Sequence, residues 1–192
     1  MDIVLDWSGP YHFSSPAGPP IFEAPAAQGP GVYLWLAATS RGLLPHYVGE
    51  TGRSVARRHY EHFRDYASGV YSVRDSAAFV AGREVFLYKG PLWRNDGWRA
   101  AQQVIDRFAE FAGHLSVSLA ALRLFVAPLD AEQRVRRRVE SGLIKALYAL
   151  PEASRSLFPP GFRTLSRSGD EPITVRHAGT HLLDGLPECF QA

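Results

Sequence analysis

Two tyrosines, an arginine, a histidine and a late glutamate are the groups through which this chain could do chemistry. Tyr33 lies in Gly31-Val32-Tyr33-Leu34-Trp35, and Tyr47 in His46-Tyr47-Val48-Gly49-Glu50-Thr51-Gly52-Arg53-Ser54. Arg58 and His62 follow at i, i+4, and Glu140 comes far downstream in Val139-Glu140-Ser141-Gly142-Leu143-Ile144. Phosphodiester hydrolysis needs a nucleophilic water, charge stabilisation on phosphorus and help for the leaving oxygen. A carboxylate holds a hard cation such as Mg²⁺ (or Mn²⁺), which keeps several waters and polarises the phosphate. A guanidinium matches phosphate oxygens with a planar fork of donors. A phenol beside such cations is expected to fall below its usual pKa of about 10 and accept a proton from water. Singly, each residue has a plainer account. The tyrosines would be half-buried strand aromatics, Arg58 and His62 a solvated helix flank, and Glu140 a surface partner of Arg136. Only the ordered set singles them out.

The elements that must position these groups follow from periodicity. Val32, Leu34 and Leu36 alternate with Tyr33 and Trp35, which predicts a strand over Gly31–Ala37. Ala38–Pro45 reads as a loop, and His46–Gly49 as a second strand paired in a hairpin. Ser54 caps a helix that Ser68-Gly69 stops. On its wheel Val55, His59, Phe63 and Tyr66 point inward, Arg58 and His62 flank that stripe, and Arg57, Tyr60 and Arg64 face water. Periodicity therefore selects Arg58 over Arg57 to face a site. Glu84–Tyr88 reads as a short strand, and Trp98–Ala112 as a helix with Val104, Ile105, Phe108 and Phe111 inward and Gly113 as its stop. Leu122–Ala127 is a strand ended by Pro128. Asp130 with Gln133 suggests a capping box for a long helix to Leu150, whose buried stripe is Val135, Val139, Leu143, Ala146 and Leu150. Glu140 lies beside that stripe.

Composition bounds the rest. The 192 residues suit one domain with a decorated edge, and the net charge of +2 permits nucleic-acid binding without demanding it. No apolar run approaches membrane-spanning length, and Asp2 and Asp6 argue against a signal peptide. The single cysteine, Cys189, excludes an internal disulfide and fits a reducing, cytoplasmic compartment. Proline-rich residues 1–29 read as an irregular extension with some strand character at Asp6–Phe13. Residues 152–192 read as a second extension packed on the domain, with a strand candidate at Ile173–Arg176.

The two tripeptides Gly31-Val32-Tyr33 and Tyr47-Val48-Gly49, with Arg58, His62 and Glu140 in order, resemble the GIY-YIG nuclease family over about residues 30–150. That resemblance implies an α/β (α+β) domain at 30–151: a small three-stranded antiparallel sheet flanked by helices, here with an insertion at about 70–115. It also implies hydrolysis of DNA at a single divalent ion. By that likeness Tyr33 is the proton acceptor or water-positioning phenol, Tyr47 orients it or touches the phosphate, and Arg58 grips the phosphate. His62 assists proton movement and Glu140 binds the metal. The family usually has an asparagine shortly after the glutamate helix, whereas this chain's one asparagine, Asn95, precedes Glu140. A non-cutting nucleic-acid-binding or regulatory module is therefore the alternative, and a protein-interaction domain a third reading.

Arg53, Arg57, Arg136, Arg137, Arg155 and Arg163 form the candidate set for DNA contact, with a solvated basic face as the bland account. One site cuts one strand at a time, so double-strand cleavage would call for a homodimer. Trp93, Trp98 and Tyr88 could stack unpaired bases, although core packing is the commoner fate. His177 and His181, four apart, with Cys189 beyond them give a faint metal-clip signal, and scattered ligands of this kind are more often incidental. Gly52-Arg53-Ser54 lacks the lysine of a P-loop.

Overall fold

The computed structural model describes residues 1–92, 97–161, 171–179 and 182–192, with only the backbone of 97–100 and of Ser15. The site is built on a hairpin of β2 (Gly31–Thr39) and β3 (Gly42–Thr51), as the alternation predicts, with the turn shortened to Ser40-Arg41. The second strand therefore begins at Gly42 rather than His46: Leu43, Leu44 and Pro45 join the ladder across a bulge at Trp35/Leu36. Every residue of β2 from Gly31 to Ala37 is buried. Val32, Leu34 and Leu36 pack into one core and Tyr33, Trp35 and Ala37 into another, because helices cover both faces of the sheet.

One cover is α5 (Gln133–Tyr148), whose Val139, Leu143, Ile144 and Leu147 meet the even-numbered face. The other is α1 (Val55–Ala67), which contributes Val55 and Ala56 to the odd-numbered face. β6 (Leu122–Pro128) pairs antiparallel with the far side of β2 and ends at Pro128 as expected.

The sheet is larger than the three-stranded one the resemblance implies. It has six strands in the order β3-β2-β6-β1-β7-β8 and is mixed rather than antiparallel. The antiparallel trio β3-β2-β6 is its first half. The second half comes from segments expected to be extensions: β1 (Asp2–Tyr11), β7 (Thr174–Gly179) and β8 (Cys189–Gln191). β1 pairs antiparallel with β6 and parallel with β7. The N-terminal region is thus not irregular over its first third. Leu5 and Trp7 alternate with Asp6 and Val4 and fill the α5-side core, and burial of these two side chains outweighs the proline-rich composition that follows. Gly9, at φ +131 with the Leu124 carbonyl 2.6 Å from where a Cβ would stand, makes the bulge that admits Pro10.

Residues 70–121 form a side unit of α2 (Ser76–Val80), α3 (Gly97–Asp106), α4 (Phe108–Ala121) and a small sheet of β4 (Val73–Arg74) and β5 (Phe86–Tyr88). The helix expected over Trp98–Ala112 is two helices broken at Arg107, whose backbone leaves the helical region. The second runs through Gly113, because contact of Leu115 and Leu119 with the core offsets the roughly 1 kcal/mol that an interior glycine costs. Val104 and Phe111 face inward as predicted, but Ile105 and Phe108 are exposed. In α1, Phe63 is likewise exposed rather than inward. The capping box expected of Asp130 and Gln133 is absent: Glu132 occupies the cap of α5 with no side-chain bond. Ser54 does cap α1, accepting from the Arg57 N–H at 3.2 Å. No helix among the described residues is long and apolar enough to cross a membrane.

Candidate active site

The two motif glycines have a steric cause. Gly49 stands opposite Tyr33 in the hairpin, and a Cβ there would lie 2.3 Å from the Tyr33 ring and hydroxyl. Gly31 faces β6 so closely that a Cβ would meet the Ala127 carbonyl at 2.6 Å. The Tyr33 ring can therefore lie flat across β3, which brings its hydroxyl over the free edge of that strand.

There the Tyr33 hydroxyl lies 3.0 Å from His62 Nε2, and His62 Nδ1 lies 3.1 Å from the Tyr71 hydroxyl. Tyr33 and His62 are about 1% exposed, so the bond between them is shielded from water. Arg58, half-buried on the same flank of α1, brings its positive charge close to both the Tyr33 and the Tyr47 hydroxyls. It also pairs with Glu61 at 3.1 Å, and Glu61 in turn holds Arg53 at 2.9 Å. Tyr47 stacks on Tyr33 with ring centroids 6.1 Å apart and meets His62 edge-on at 5.3 Å. The predicted Tyr33, Tyr47 and His62 are thus in mutual contact, with the charge of Arg58 close to both phenols.

The platform beneath them is a second imidazole. Trp35 Nε1 donates to His59 Nε2 at 2.8 Å, and His59 Nδ1 donates to the Val55 carbonyl at 2.8 Å. Both ring nitrogens are used, so His59 is locked as the neutral Nδ1–H tautomer. Burial holds its pKa down to about 4. Its ring packs edge-on to Tyr33 at 4.7 Å.

Burial also decides the state of the phenols. Tyr33 is pushed well above the ordinary tyrosine range by burial and then by Tyr47, and Arg58 only partly opposes this. Tyr47 moves the same way for the same first reason. In the protein on its own, desolvation outweighs the guanidinium, and both phenols stay above the ordinary tyrosine range.

Glu140 reaches the site from the opposite face. α5 packs beneath the sheet, and the Glu140 carboxylate lies close to the Glu50 backbone and carboxylate on β3, the edge strand of the sheet. Glu140 feels the charge of Arg58 and in turn acts on Tyr33 and Tyr47, so the acid and the phenols share one locale. Burial, and then the neighbouring Glu50 carboxylate, raise Glu140 to about 7. Two carboxylates thus lie side by side, Glu140 the more desolvated, with Arg137 and Arg58 only partly offsetting them. Glu50 is already paired with Arg136 at 2.9 Å and lies 3.6 Å from Arg137, which leaves Glu140 as the oxygen ligand to offer. No group of three or more His, Cys, Asp or Glu gathers among the described residues. A lone carboxylate is the kind of oxygen donor that a hard, water-rich ion such as Mg²⁺ takes, the ion keeping several of its waters.

The outlying arginines divide. Arg57 and Arg53 are exposed beside the site, Arg53 in its pair with Glu61. Arg137 is half-exposed. Arg136 is buried against Glu50 and the Ala131 carbonyl, and its guanidinium would lie 2.3 Å from a Cβ at Gly52, so its work is internal. Arg155 is partly buried in the turn after α5. Trp93, Asn95, Arg163, Arg167 and His181 lie outside the described residues, as does the side chain of Trp98. Tyr88 is buried, its hydroxyl on the Gly69 carbonyl, and is not free to stack on a base. His177 accepts from Trp7 Nε1 at 2.9 Å, a packing role.

Three residues escaped the sequence reasoning: Tyr71, Glu50 and His59. Glu50 directly follows the second tripeptide, and His59 shared the inward stripe, so both had a signal. Tyr71 had none, since it lies past the helix stop in an unassigned turn. No family model, no curated protein and no solved structure matches the chain.

Proposed function

We propose that the protein is a divalent-metal-dependent DNA endonuclease of the GIY-YIG type. One observation carries this reading: Tyr33, Tyr47, Arg58 and His62 meet at one strand edge, and Glu140 comes to the same edge from a helix on the other face. Core packing alone gives no reason to send a desolvated carboxylate around a sheet edge toward two phenols. In this reading Arg58 grips a non-bridging phosphate oxygen, with Tyr47 beside it fixing the guanidinium plane. Tyr33 positions the attacking water and takes its proton, and His62 receives the proton that Tyr33 gives up. Glu140 holds the metal, whose contribution when bound is to polarise the phosphate and ease departure of the leaving oxygen. Arg53, Arg57 and Arg137 contact the DNA backbone on either side.

The test is cleavage of plasmid, single-stranded and branched DNA with Mg²⁺ or Mn²⁺. Wild type should cut, and Glu140→Ala and Arg58→Ala should lose at least about 100-fold in rate. If Glu140→Ala cuts as well as wild type, the metal site is wrongly assigned. Salt-sensitive DNA binding without cleavage under any metal would favour the non-cutting module instead, the reading motivated by the position of Asn95 before rather than after Glu140.

A further inference from the structure

Tyr33 is buried and, among the described residues, its hydroxyl has one hydrogen-bond partner, His62 Nε2, with the Arg58 guanidinium close by. The cation turns the phenol's lone pairs toward itself, and a buried O–H needs an acceptor, so the phenol proton goes to His62 Nε2. A neutral imidazole that accepts at Nε2 carries its proton at Nδ1. That proton points at the Tyr71 hydroxyl, 3.1 Å away. We infer that Tyr71 is a positioning residue: it fixes His62 as the Nδ1–H tautomer and forms the outer end of a relay, Tyr33–His62–Tyr71, leading to solvent. The relay's catalytic use rests on the nuclease reading; the tautomer assignment does not.

The chain is built to place Tyr71 there. α1 ends at Ala67, Gly69 turns with φ +73, and the Tyr71 N–H returns to the Asp65 carbonyl at 3.0 Å. The Tyr71 ring then packs edge-on against Tyr66 at 5.0 Å and lies 5.9 Å from the His62 ring. Tyr66 is one turn after His62 on α1, so the same helix that carries the imidazole also braces its partner. Tyr71 is only half-buried, unlike Tyr33 and His62, and so is the member of the trio able to exchange with water.

The relay answers a difficulty that burial creates. A phenol kept firmly protonated is a poor base by itself, yet it can accept a proton while releasing its own. Water gives a proton to the Tyr33 oxygen as the Tyr33 O–H proton passes to His62 Nε2. The imidazolium then returns Nδ1–H to the Tyr71 oxygen as Tyr71 releases its hydroxyl proton to solvent. One proton enters and one leaves. His62 ends with its proton on Nε2. The starting tautomer returns when Tyr33 gives the proton it took to the leaving oxygen or to water in the site, Nε2–H passes back to Tyr33, and Tyr71 hands a solvent proton to Nδ1.

The test combines ¹⁵N-histidine NMR of the full chain with cleavage kinetics, using Tyr71→Phe and, as a control beside it, Tyr66→Phe. Phenylalanine keeps the ring contacts and removes only the oxygen. Wild type and Tyr66→Phe should show His62 as the Nδ1–H tautomer, whereas Tyr71→Phe should shift it toward Nε2–H. Tyr71→Phe should also lower kcat by about 10- to 100-fold, with KM and Tm unchanged. An unchanged tautomer in Tyr71→Phe overturns the assignment. A shifted tautomer with undiminished kcat overturns the relay and leaves only the positioning contact. If wild type cuts no DNA, the nuclease reading fails on its own account, and the tautomer shift still decides whether Tyr71 positions His62.

Discussion

Replacing Gly49 with alanine isolates the contact on which the site's geometry depends. The added Cβ would stand 2.3 Å from Tyr33 Cζ and Oη, where nonbonded carbons ordinarily keep about 3.5–4.0 Å. The ring has no room to retreat, with His59 edge-on at 4.7 Å and Tyr47 stacked above it. Overpacking of this kind costs about 1–3 kcal/mol. Pulling the hydroxyl from His62 adds about 1 kcal/mol. Against this stands the gain of about 0.4–1 kcal/mol that alanine brings by restricting the unfolded chain. The net expectation is destabilisation by about 2 kcal/mol, or a fall in Tm of about 4–8 °C for a chain of this size. Gly29→Ala is the matched control: a Cβ there meets nothing within 4 Å, so the same substitution should be neutral or slightly stabilising. Urea titration followed by tryptophan fluorescence would read both variants. If Gly49→Ala unfolds within about 0.5 kcal/mol of Gly29→Ala, Tyr33 does not lie across β3 and the account of the motif glycine is wrong.

Further outcomes follow from charge. Folded Glu140 keeps its proton up to about pH 7, whereas its ordinary value is 4.5, so in metal-free buffer wild type should lose stability as pH rises between these values. Glu140→Gln should lack that slope and be more stable than wild type at pH 8 by about 1–3 kcal/mol; superimposable pH–Tm curves would refute it. His59 behaves in the opposite sense. Its folded value of about 4 against an ordinary 6.5 means stability complete above pH 6.5 and lost as pH falls toward 4, so His59→Gln should show a shallower acid slope in the same assay. Arg136→Met should destabilise by about 2 kcal/mol by leaving Glu50 with only the looser Arg137, and Glu50→Gln in the same chain should recover most of the loss. Chemical denaturation of the four species would show whether the two effects fail to add.

Local order explains what could be read in advance. The β2–β3 hairpin, the Ser54 cap, the Pro128 strand end and the inward stripe of α5 each depend on neighbours within a few residues. Arg58 and His62 were selected over Arg57 by the helical repeat, and α1 does carry both on the Tyr33 side. The helix expected over Trp98–Ala112 misses two things: the break at Arg107, and the run of the second helix through Gly113, which a distant core contact at Leu119 sustains. β1 was obscured by the prolines that follow it. Its partners, β6 and β7, lie more than a hundred residues away, and pairing at that range leaves little local trace.

The sequence by itself determined the hairpin, the two helices that cover it and the polar groups they carry, because periods of two and 3.6 residues sort side chains onto faces. Tertiary structure alone decided three things. Tyr71 closes onto His62 through the turn after α1. Glu140 comes beside Glu50 and into the electrostatic reach of Arg58. Desolvation, rather than the nearby guanidinium, sets the state of Tyr33. Each depends on which surfaces are removed from water when distant segments meet, and that is a property of the assembled packing and not of any stretch of chain.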